Sequence, residues 1–448
     1  MATRRRFLKE GFRYAAGLGA ATLFPIEALA SIRQRVGPND RIQVGVIGCR
    51  GMGFTDLISM LKLSETEVVA LCDVDESVLA SRTADLETAG LKKPQWYTDY
   101  RKLLDSKDVD VVIIGTPDHW HCLQLADALM AGKDVYCEKP IANSIAESEA
   151  MLSLVQQSDR VVQIGQWQRS QPHFVDAINY VHSGKLGQIR LAKAWAYQGW
   201  MDSIPLQPDA AVPDGVDYAM WLGPAPMRAF NANRFHFSFR WFWDYAGGLM
   251  TDWGVHLMDY ALYGMQAARP KSVMALGGKF AYPDDAQETP DTLQTVYEYD
   301  NFSILWEHAT GIDGGNYGRD HGIAFIGNNG TLILDRGGWE VRPEDERQGW
   351  DKNLGPKIEA VPLQTNQGNG LDLHTANFIE VVKSREIEHL KAPIEVGYDA
   401  AMVCHMGNLA FKTGTRIYWN EETHRFDNAQ ANSLMVPEYH NGWKLPKV

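Results

Sequence analysis

The sequence predicts an α/β protein in two parts: a parallel, doubly wound sheet with helices on both faces, then an α+β part built on a mostly antiparallel sheet. Three observations predict it. An apolar, largely β-branched run at 42–47 breaks into Gly48-Cys49-Arg50-Gly51-Met52-Gly53. It resumes as a helical pattern with Phe54, Leu57, Ile58 and Leu61 on one side, which reads as strand, tight turn and helix. Short apolar strands then alternate with helical stretches as far as Gly165, the rhythm of a parallel sheet. Beyond Gly165, strand-like segments follow one another between 272 and 335 with little helix among them, which favours antiparallel pairing.

With 448 residues the chain is long enough for two domains with sizeable cores. Residues 1–30 are not expected to belong to the fold. Thr3-Arg-Arg-Arg-Phe-Leu-Lys9 has the twin-arginine pattern, Ala15 to Leu29 is mildly apolar, and Ala28-Leu29-Ala30 is an A-x-A cleavage site. The expectation is a cleaved twin-arginine signal peptide, a periplasmic or exported protein, and no stable membrane span after processing. Five cysteines, an odd number, sit in or beside apolar stretches and read as small buried hydrophobes, not as a disulfide framework. A formal net charge of −13 argues against a nucleic-acid surface. Tryptophans cluster between Trp167 and Trp253, which suggests a surface for stacking on flat rings or sugars.

Taken in order, 31–40 is a polar linker and 31–165 is the first domain. The glycine turn opens a helix whose N-terminus can face a pyrophosphate with free N–H groups. Against G-x-G-x-x-G, Arg50 stands where the second glycine would be. Glu67–Asp73 is a buried strand. Its terminal Asp73 lies about twenty residues past the loop, where a carboxylate can accept two ribose hydroxyls and repel a 2′-phosphate. The alternative for this acid is a helix cap over 76–86, which neighbouring Asp75 can supply. Val109–Gly115 is apolar throughout, as a strand buried on both faces must be. It ends in Thr116-Pro117-Asp118-His119-Trp120-His121, ahead of a helix over 122–131. The strand 134–137 runs into Glu138-Lys139-Pro140, and the strand 161–165 into Gln166-Trp167-Gln168-Arg169. Ligands of open α/β sheets gather at these carboxyl ends.

Residues 166–448 form the second domain in this reading. Helices are expected at 171–183, 248–263, 373–384 and 396–412, and a strand at 188–197. The stretch 200–245 is long, irregular and aromatic, as functional loops are. The tail 420–448 is expected to lie along the surface.

In sum these motifs, with Asp252-Trp-Gly-Val-His256, resemble the Gfo/Idh/MocA oxidoreductases, in particular the exported branch related to glucose–fructose oxidoreductase. The resemblance runs from about Asp40 to the last helix. It implies a Rossmann domain, a C-terminal domain whose sheet mediates a homodimer or homotetramer, NAD(P) between the two, and a sugar, polyol or glycoside as substrate.

The residues can do such chemistry. Oxidising a secondary alcohol needs a base at the hydroxyl and a fixed geometry to the nicotinamide. His256 suits a base near neutral pH. Asp252, four residues earlier on the expected helix, can orient that imidazole or bind a substrate hydroxyl. Lys139 can stabilise an alkoxide. The catalytic set is therefore Lys139, Asp252 and His256. The cofactor set is Gly48, Cys49, Arg50, Gly51, Met52, Gly53, Asp73, Thr116, Pro117, His119, Trp120, His121, Glu138, Lys139 and Gln166, holding NAD in preference to NADP. The substrate set is Lys139, Trp167, Arg169, Arg240, Asp252 and His256. Trp120 either covers the nicotinamide or closes the core, and Arg169 and Arg240 either bind hydroxyls or pair with acids. A metal bound by Asp252, His256, His119 and His121 ranks low because no usual ligand spacing is present. Free NAD is scarce outside the cytoplasm, so an exported enzyme would hold its nucleotide tightly. It would then either pass hydride between two sugars or oxidise and re-reduce one glycoside so as to cleave it.

Overall fold

The computed structural model describes residues 41–350 and 352–448. The export pattern and the linker at 31–40 lie outside the described residues. The first sheet has six strands: β1 (Ile42–Ile47), β2 (Thr66–Cys72), β3 (Gln95–Tyr97), β4 (Val111–Ile114), β5 (Asp134–Cys137) and β6 (Val162–Ile164). Their order is β3-β2-β1-β4-β5-β6, with every neighbouring pair parallel. Strand order reverses between β1 and β4, so the crevice outside their carboxyl ends is the place for a ligand. The wholly buried pattern of β4 and β5 follows from cover on both faces.

The second sheet is mostly antiparallel. It contains β7 (Ile189–Gln198), β8 (Ser272–Gly278), β9 (Thr292–Glu298), β10 (Ser303–Thr310), β11 (His321–Gly327), β12 (Gly330–Asp335) and β13 (Gly338–Pro343). A small hairpin of β14 (Asp345–Gln348) and β15 (Lys352–Pro356) stands apart, and β16 (Val361–Thr365), β17 (Ile417–Asn420) and β18 (Arg425–Phe426) complete the edges. The order is β16-β13-β12-β11-β7-β10-β9-β8-β17-β18, in which β7 and β10 form the one parallel pair. The helices Gly254–Met265 and Ile394–Thr413 pack on one face of this sheet, around Trp306, Tyr297, Tyr260 and Phe325.

The core of the parallel sheet is completed from far along the chain. Phe378, Ile379, Val381 and Val382 of helix Gly370–Ser384 cover one face, and Ile394, Tyr398 and Ala401 join the other. The two halves therefore share helices across the expected boundary at 165.

Several expected elements differ in detail. The helix expected from 122 begins at Asp118, directly after Pro117. The helix expected over 248–263 is broken into Leu249–Asp252 and Gly254–Met265. The His256 amide bonds the carbonyl of Trp253, three residues back, at 3.1 Å, while the carbonyl of Asp252 accepts the Lys139 ammonium at 2.9 Å. The tryptophan cluster is mostly interior: Trp195, Trp221, Trp241 and Trp253 are all buried. Much of the 200–245 loop turns inward too, where Tyr218 stacks on Trp221 and Phe230, Phe235 and Tyr245 pack around them edge-on or tilted. The tail is anchored. Tyr439 donates to buried Glu147 at 2.7 Å, and Trp443 packs edge-on to Trp120 at 5.0 Å. All five cysteines are free and buried.

Candidate active site

The glycine turn is built from close approaches. Gly48 has φ +87, and a Cβ there would lie 2.7 Å from the carbonyl of Gly115. A Cβ on Gly53 would meet the Gly48 oxygen at 2.3 Å. These glycines let the end of β1, the start of the next helix and the end of β4 close on one another. Gly51 differs, for its missing side chain would meet nothing within 4 Å. The helix Met52–Met60 it precedes has no side-chain cap. An open approach in front of uncapped amides fits a pyrophosphate. Arg82 steadies the turn from behind, donating to the carbonyls of Cys49 at 3.2 Å and Arg50 at 2.7 Å. The Arg50 side chain is exposed, whereas the Cys49 side chain is buried, its thiol on the Cys72 carbonyl.

Asp73 ends β2 and accepts the amides of Cys49 at 2.8 Å and Asp75 at 3.1 Å. Burial pushes its carboxyl up to about 6, against the pull of those amides. Asp75 caps the helix Glu76–Thr88, as expected, and also meets His236 at 2.9 Å. Here the second half of the chain folds back over the first. The amide of Asp217 donates to the Val74 carbonyl at 2.8 Å, and that of Glu76 to Gly215 at 3.0 Å.

The segment after β4 is less exposed than the sequence suggested. Trp120 donates to the Trp221 carbonyl at 3.0 Å and packs edge-on against Tyr100 and Trp443. His119 sits against Tyr245 and Trp221. The ring of His121 spans the carbonyls of Pro140 and Thr116, at 2.7 and 2.8 Å. These three side chains are committed to the interior, so the reading of Trp120 as core prevails over a ring covering the nicotinamide. Thr116 and Pro117 remain at the strand end, with Thr116 donating to Gln124 at 2.7 Å. Gln166, after β6, is buried and its Oε1 has no hydrogen-bond partner, an acceptor suited to a donor of a bound nucleotide.

The charged centre lies where the halves meet. Lys139, after β5, donates to the carbonyl of Asp252 at 2.9 Å and to its Oδ1 at 3.1 Å. Arg240 donates to the same Oδ1 at 3.1 Å. Burial pushes the Asp252 carboxyl up, but Lys139 and Arg240 outweigh it and bring it down to about 2. Asp252 thus holds Lys139, not the imidazole of His256, whose Nδ1 is buried without a partner. Burial, and then the positive charges of Lys139 and Arg336, hold His256 well below the usual histidine range, so the ring is neutral at pH 7. Trp167 stands edge-on to it at 6.4 Å. Glu138, also buried, is pushed up to about 7 by burial against the pull of Lys139.

Arg169, expected at the substrate, is turned away. It forms a salt bridge with buried Asp259 and lies over the Tyr263 ring at 4.1 Å. A buried guanidinium so paired costs too much to unpair for a hydroxyl.

Three residues join the site that sequence reasoning did not place there. Asp118 is pushed up to about 8 by burial, with Arg240, Asp252 and Lys139 all acting on it. Arg336, after β12, lies over both Trp253 at 4.6 Å and Trp167 at 5.2 Å. His321 opens β11 and packs edge-on to Trp253 at 4.9 Å. Asp118 lay inside a motif the sequence singled out. His321 and Arg336 carry no local signal, because only the second sheet brings them to Trp253.

Comparison with known proteins agrees with this geometry. Residues 42–166 match the Gfo/Idh/MocA family model described as an oxidoreductase family, NAD-binding Rossmann fold. Residues 187–313 match that family's C-terminal alpha/beta domain. Together the two cover more than half of the chain. A Glycosyl hydrolase family 109 protein 2 of Shewanella sp. (strain ANA-3) is 34% identical over 160 residues, 32% of this chain and 35% of that protein. An inositol 2-dehydrogenase of Salmonella paratyphi B (strain ATCC BAA-1250 / SPB7) is 34% identical over 149 residues, 33% of this chain and 43% of that protein. The chain thus spans less than half the length of these curated relatives. Levoglucosan dehydrogenase, solved with NADH and levoglucosan, shares the fold at a TM-score of 0.62 and 18% identity, covering 84% of this chain and 99% of its own.

Proposed function

The chain belongs to the Gfo/Idh/MocA family of oxidoreductases, and on that premise we propose that it interconverts a secondary alcohol and a ketone on a sugar, polyol or glycoside, using NAD. The observation that carries this reading is the Lys139 ammonium clamped by Asp252 beside a neutral His256, at the carboxyl edge of a dinucleotide-binding sheet. NAD, when bound, accepts and returns the hydride. The rest falls to the protein. The imidazole of His256, free of a proton at neutral pH, takes the hydroxyl proton. Lys139 donates to the same oxygen and stabilises its negative charge. Asp252 and Arg240 fix Lys139, and Trp167 walls the space beside His256. Asp73 favours NAD, because a carboxylate at the ribose repels a 2′-phosphate.

The nucleotide is held tightly in this reading and the mature protein works in the periplasm as a homodimer or homotetramer. The twin-arginine pattern supports the location, since that route carries folded proteins with their cofactors. The contacts of 215–217 and His236 with residues 74–76, next to Asp73, support retention. A second reading, cleavage of a glycoside by transient oxidation, draws support from the glycosyl hydrolase family 109 relatives. Release of the aglycone without net NADH distinguishes it.

The test is direct. Purified protein is denatured and the supernatant assayed for NAD(H), and a panel of mono- and disaccharides is screened for reduction of the bound nucleotide. Release of NAD(H) and reduction by at least one sugar are expected. Protein that is empty and also fails to bind added NAD overturns the proposal.

A further inference from the structure

Behind the Lys139–Asp252 clamp, a small cavity opens between the helix Ile394–Thr413 and the backs of two active-site segments. One wall begins at Asn143, four residues past Lys139. A second runs from Trp243 to Gly247, between Arg240 and Asp252 in the chain. The third is the helix, which lines the cavity with His405, Asn408 and Lys412. Their spacing of three and then four residues puts them along one face. Lys412 and Leu434 are the exposed members of the lining and mark its mouth, so solvent reaches the space. It holds only a few water-sized groups.

The lining says which ligand. Asn408 is 4% exposed. Its Nδ2 donates to the Gly247 carbonyl at 2.9 Å, while its Oδ1 is buried and has no hydrogen-bond partner. Buried amide oxygens are almost always paired, so an open one in the wall of a cavity marks a place for a donor. Nε2 of His405 donates to the Ala142 carbonyl at 3.0 Å. Burial brings that ring down to about 4 against the pull of the carbonyl, so it is neutral and its Nδ1 is a second acceptor. One cation stands opposite. The stem of Lys412 is exposed, and its ammonium turns in over the Trp243 ring at 3.8 Å. Burial lowers it to about 8 against the pull of Asp244 and Glu288, so it keeps its charge at pH 7. Both of those acids are paired with Arg228. Among the described residues the lining contains no acid. Such a cavity favours a negative charge next to a hydrogen-bond donor, in a molecule of a few heavy atoms.

We propose that this cavity is a binding site for a small carboxylate that carries a hydroxyl, its carboxylate on Lys412 and its hydroxyl donating to Oδ1 of Asn408. The site is separate from the alcohol chemistry above and does not rest on it. A ligand held there ties the long helix to both segments that form the clamp. Asn408 already bonds Gly247, whose amide donates to Oγ1 of Thr251 at 3.1 Å, one residue before Asp252. His405 bonds Ala142, three residues past Lys139. Occupancy thus supports both arms of the clamp from behind and stabilises the fold, because the cavity exists only in the folded protein.

The probe is glycolate, titrated into the full-length protein and followed by ligand-observed NMR and by the melting temperature. Acetate, which lacks the hydroxyl, and ethylene glycol, which lacks the charge, are titrated alongside. Glycolate is expected to bind and to raise the melting temperature with concentration. Acetate and ethylene glycol are each expected to bind about tenfold more weakly, the scale of one lost hydrogen bond to a charged or buried group. Lys412→Met keeps the stem and removes the charge. It is expected to melt close to wild type without ligand and to bind glycolate about tenfold more weakly, and Lys412→Arg is expected to restore most of the affinity. Glycolate that binds Lys412→Met as tightly as wild type sits elsewhere and overturns the proposal. Acetate that matches glycolate overturns it too, as does wild type that binds no glycolate up to tens of millimolar. None of these results bears on whether the protein holds NAD, so the oxidoreductase reading stands or falls by its own test.

Discussion

Asp118 carries a carboxyl that burial keeps protonated at neutral pH, pushed up to about 8 although Arg240 and Lys139 pull it down. In the unfolded chain the same group titrates at about 3.9. Between those two values the folded state binds the extra proton, so this group's contribution to stability is present below about pH 4 and declines as pH rises toward 8. Asp118→Asn keeps the shape and removes the titration. The melting temperature of that variant should fall less than wild type's between pH 5 and pH 8, by about 5 °C at about 1 °C per kcal/mol for a cooperative unit of about 400 residues. Parallel pH dependence of the two proteins would show that Asp118 is ionised in the fold. At this scale the sequence carried identities well and partners badly. Lys139, Arg240, Asp252 and His256 were all legible as members of the candidate site. That Asp252 would clamp Lys139 was not, because the pair spans 113 positions. Which of its two readings Arg169 follows was not legible for the same reason, its partner Asp259 lying 90 residues away.

Among the elements, the glycine turn shows how a degenerate motif keeps its function. Gly48 and Gly53 are fixed by contact with backbone, whereas Gly51 borders open space. The same substitution should therefore fail in two different ways. Gly53→Ala places a methyl 2.3 Å from the Gly48 oxygen and should cost folding itself, seen as lost soluble yield or a melting temperature lowered by several degrees. Gly51→Ala should fold and melt close to wild type yet retain less nucleotide through dialysis, because its methyl enters the space proposed for the pyrophosphate. Full nucleotide content in soluble Gly51→Ala would place the phosphates elsewhere. The elements built on apolar period or caps were legible: β1, β2, β4, the helix capped by Asp75, and the helix Ile394–Thr413. The break at Trp253 was not, since the pattern through it stays helical and the cause is an ammonium arriving from β5. The strands β13 to β18 escaped because most are short or largely exposed at sheet edges, where no strong alternation is required.

For the molecule as a whole, the order of elements along the chain understates how far the halves interpenetrate. A parallel sheet must be covered on both faces, and here part of the cover is supplied by the helices Gly370–Ser384 and Ile394–Thr413, more than two hundred residues beyond it. The second of these also packs on the antiparallel sheet through Met402, Cys404 and Met406. Neither half can unfold while the other keeps its core intact. The nucleotide proposed between them adds to that coupling, because a ligand bound only by the folded protein stabilises it by RT ln(1 + [L]/Kd), about 2.7 kcal/mol at a hundredfold excess over Kd. Calorimetry of nucleotide-free protein should thus show one cooperative transition, and NAD at that excess should move it upward as a unit by about 3 °C, at about 1 °C per kcal/mol for a cooperative unit of about 400 residues. Two separate transitions, with NAD shifting only the lower or only the upper one, would mean that the shared helices do not couple the sheets and that nucleotide binding is the business of one half alone.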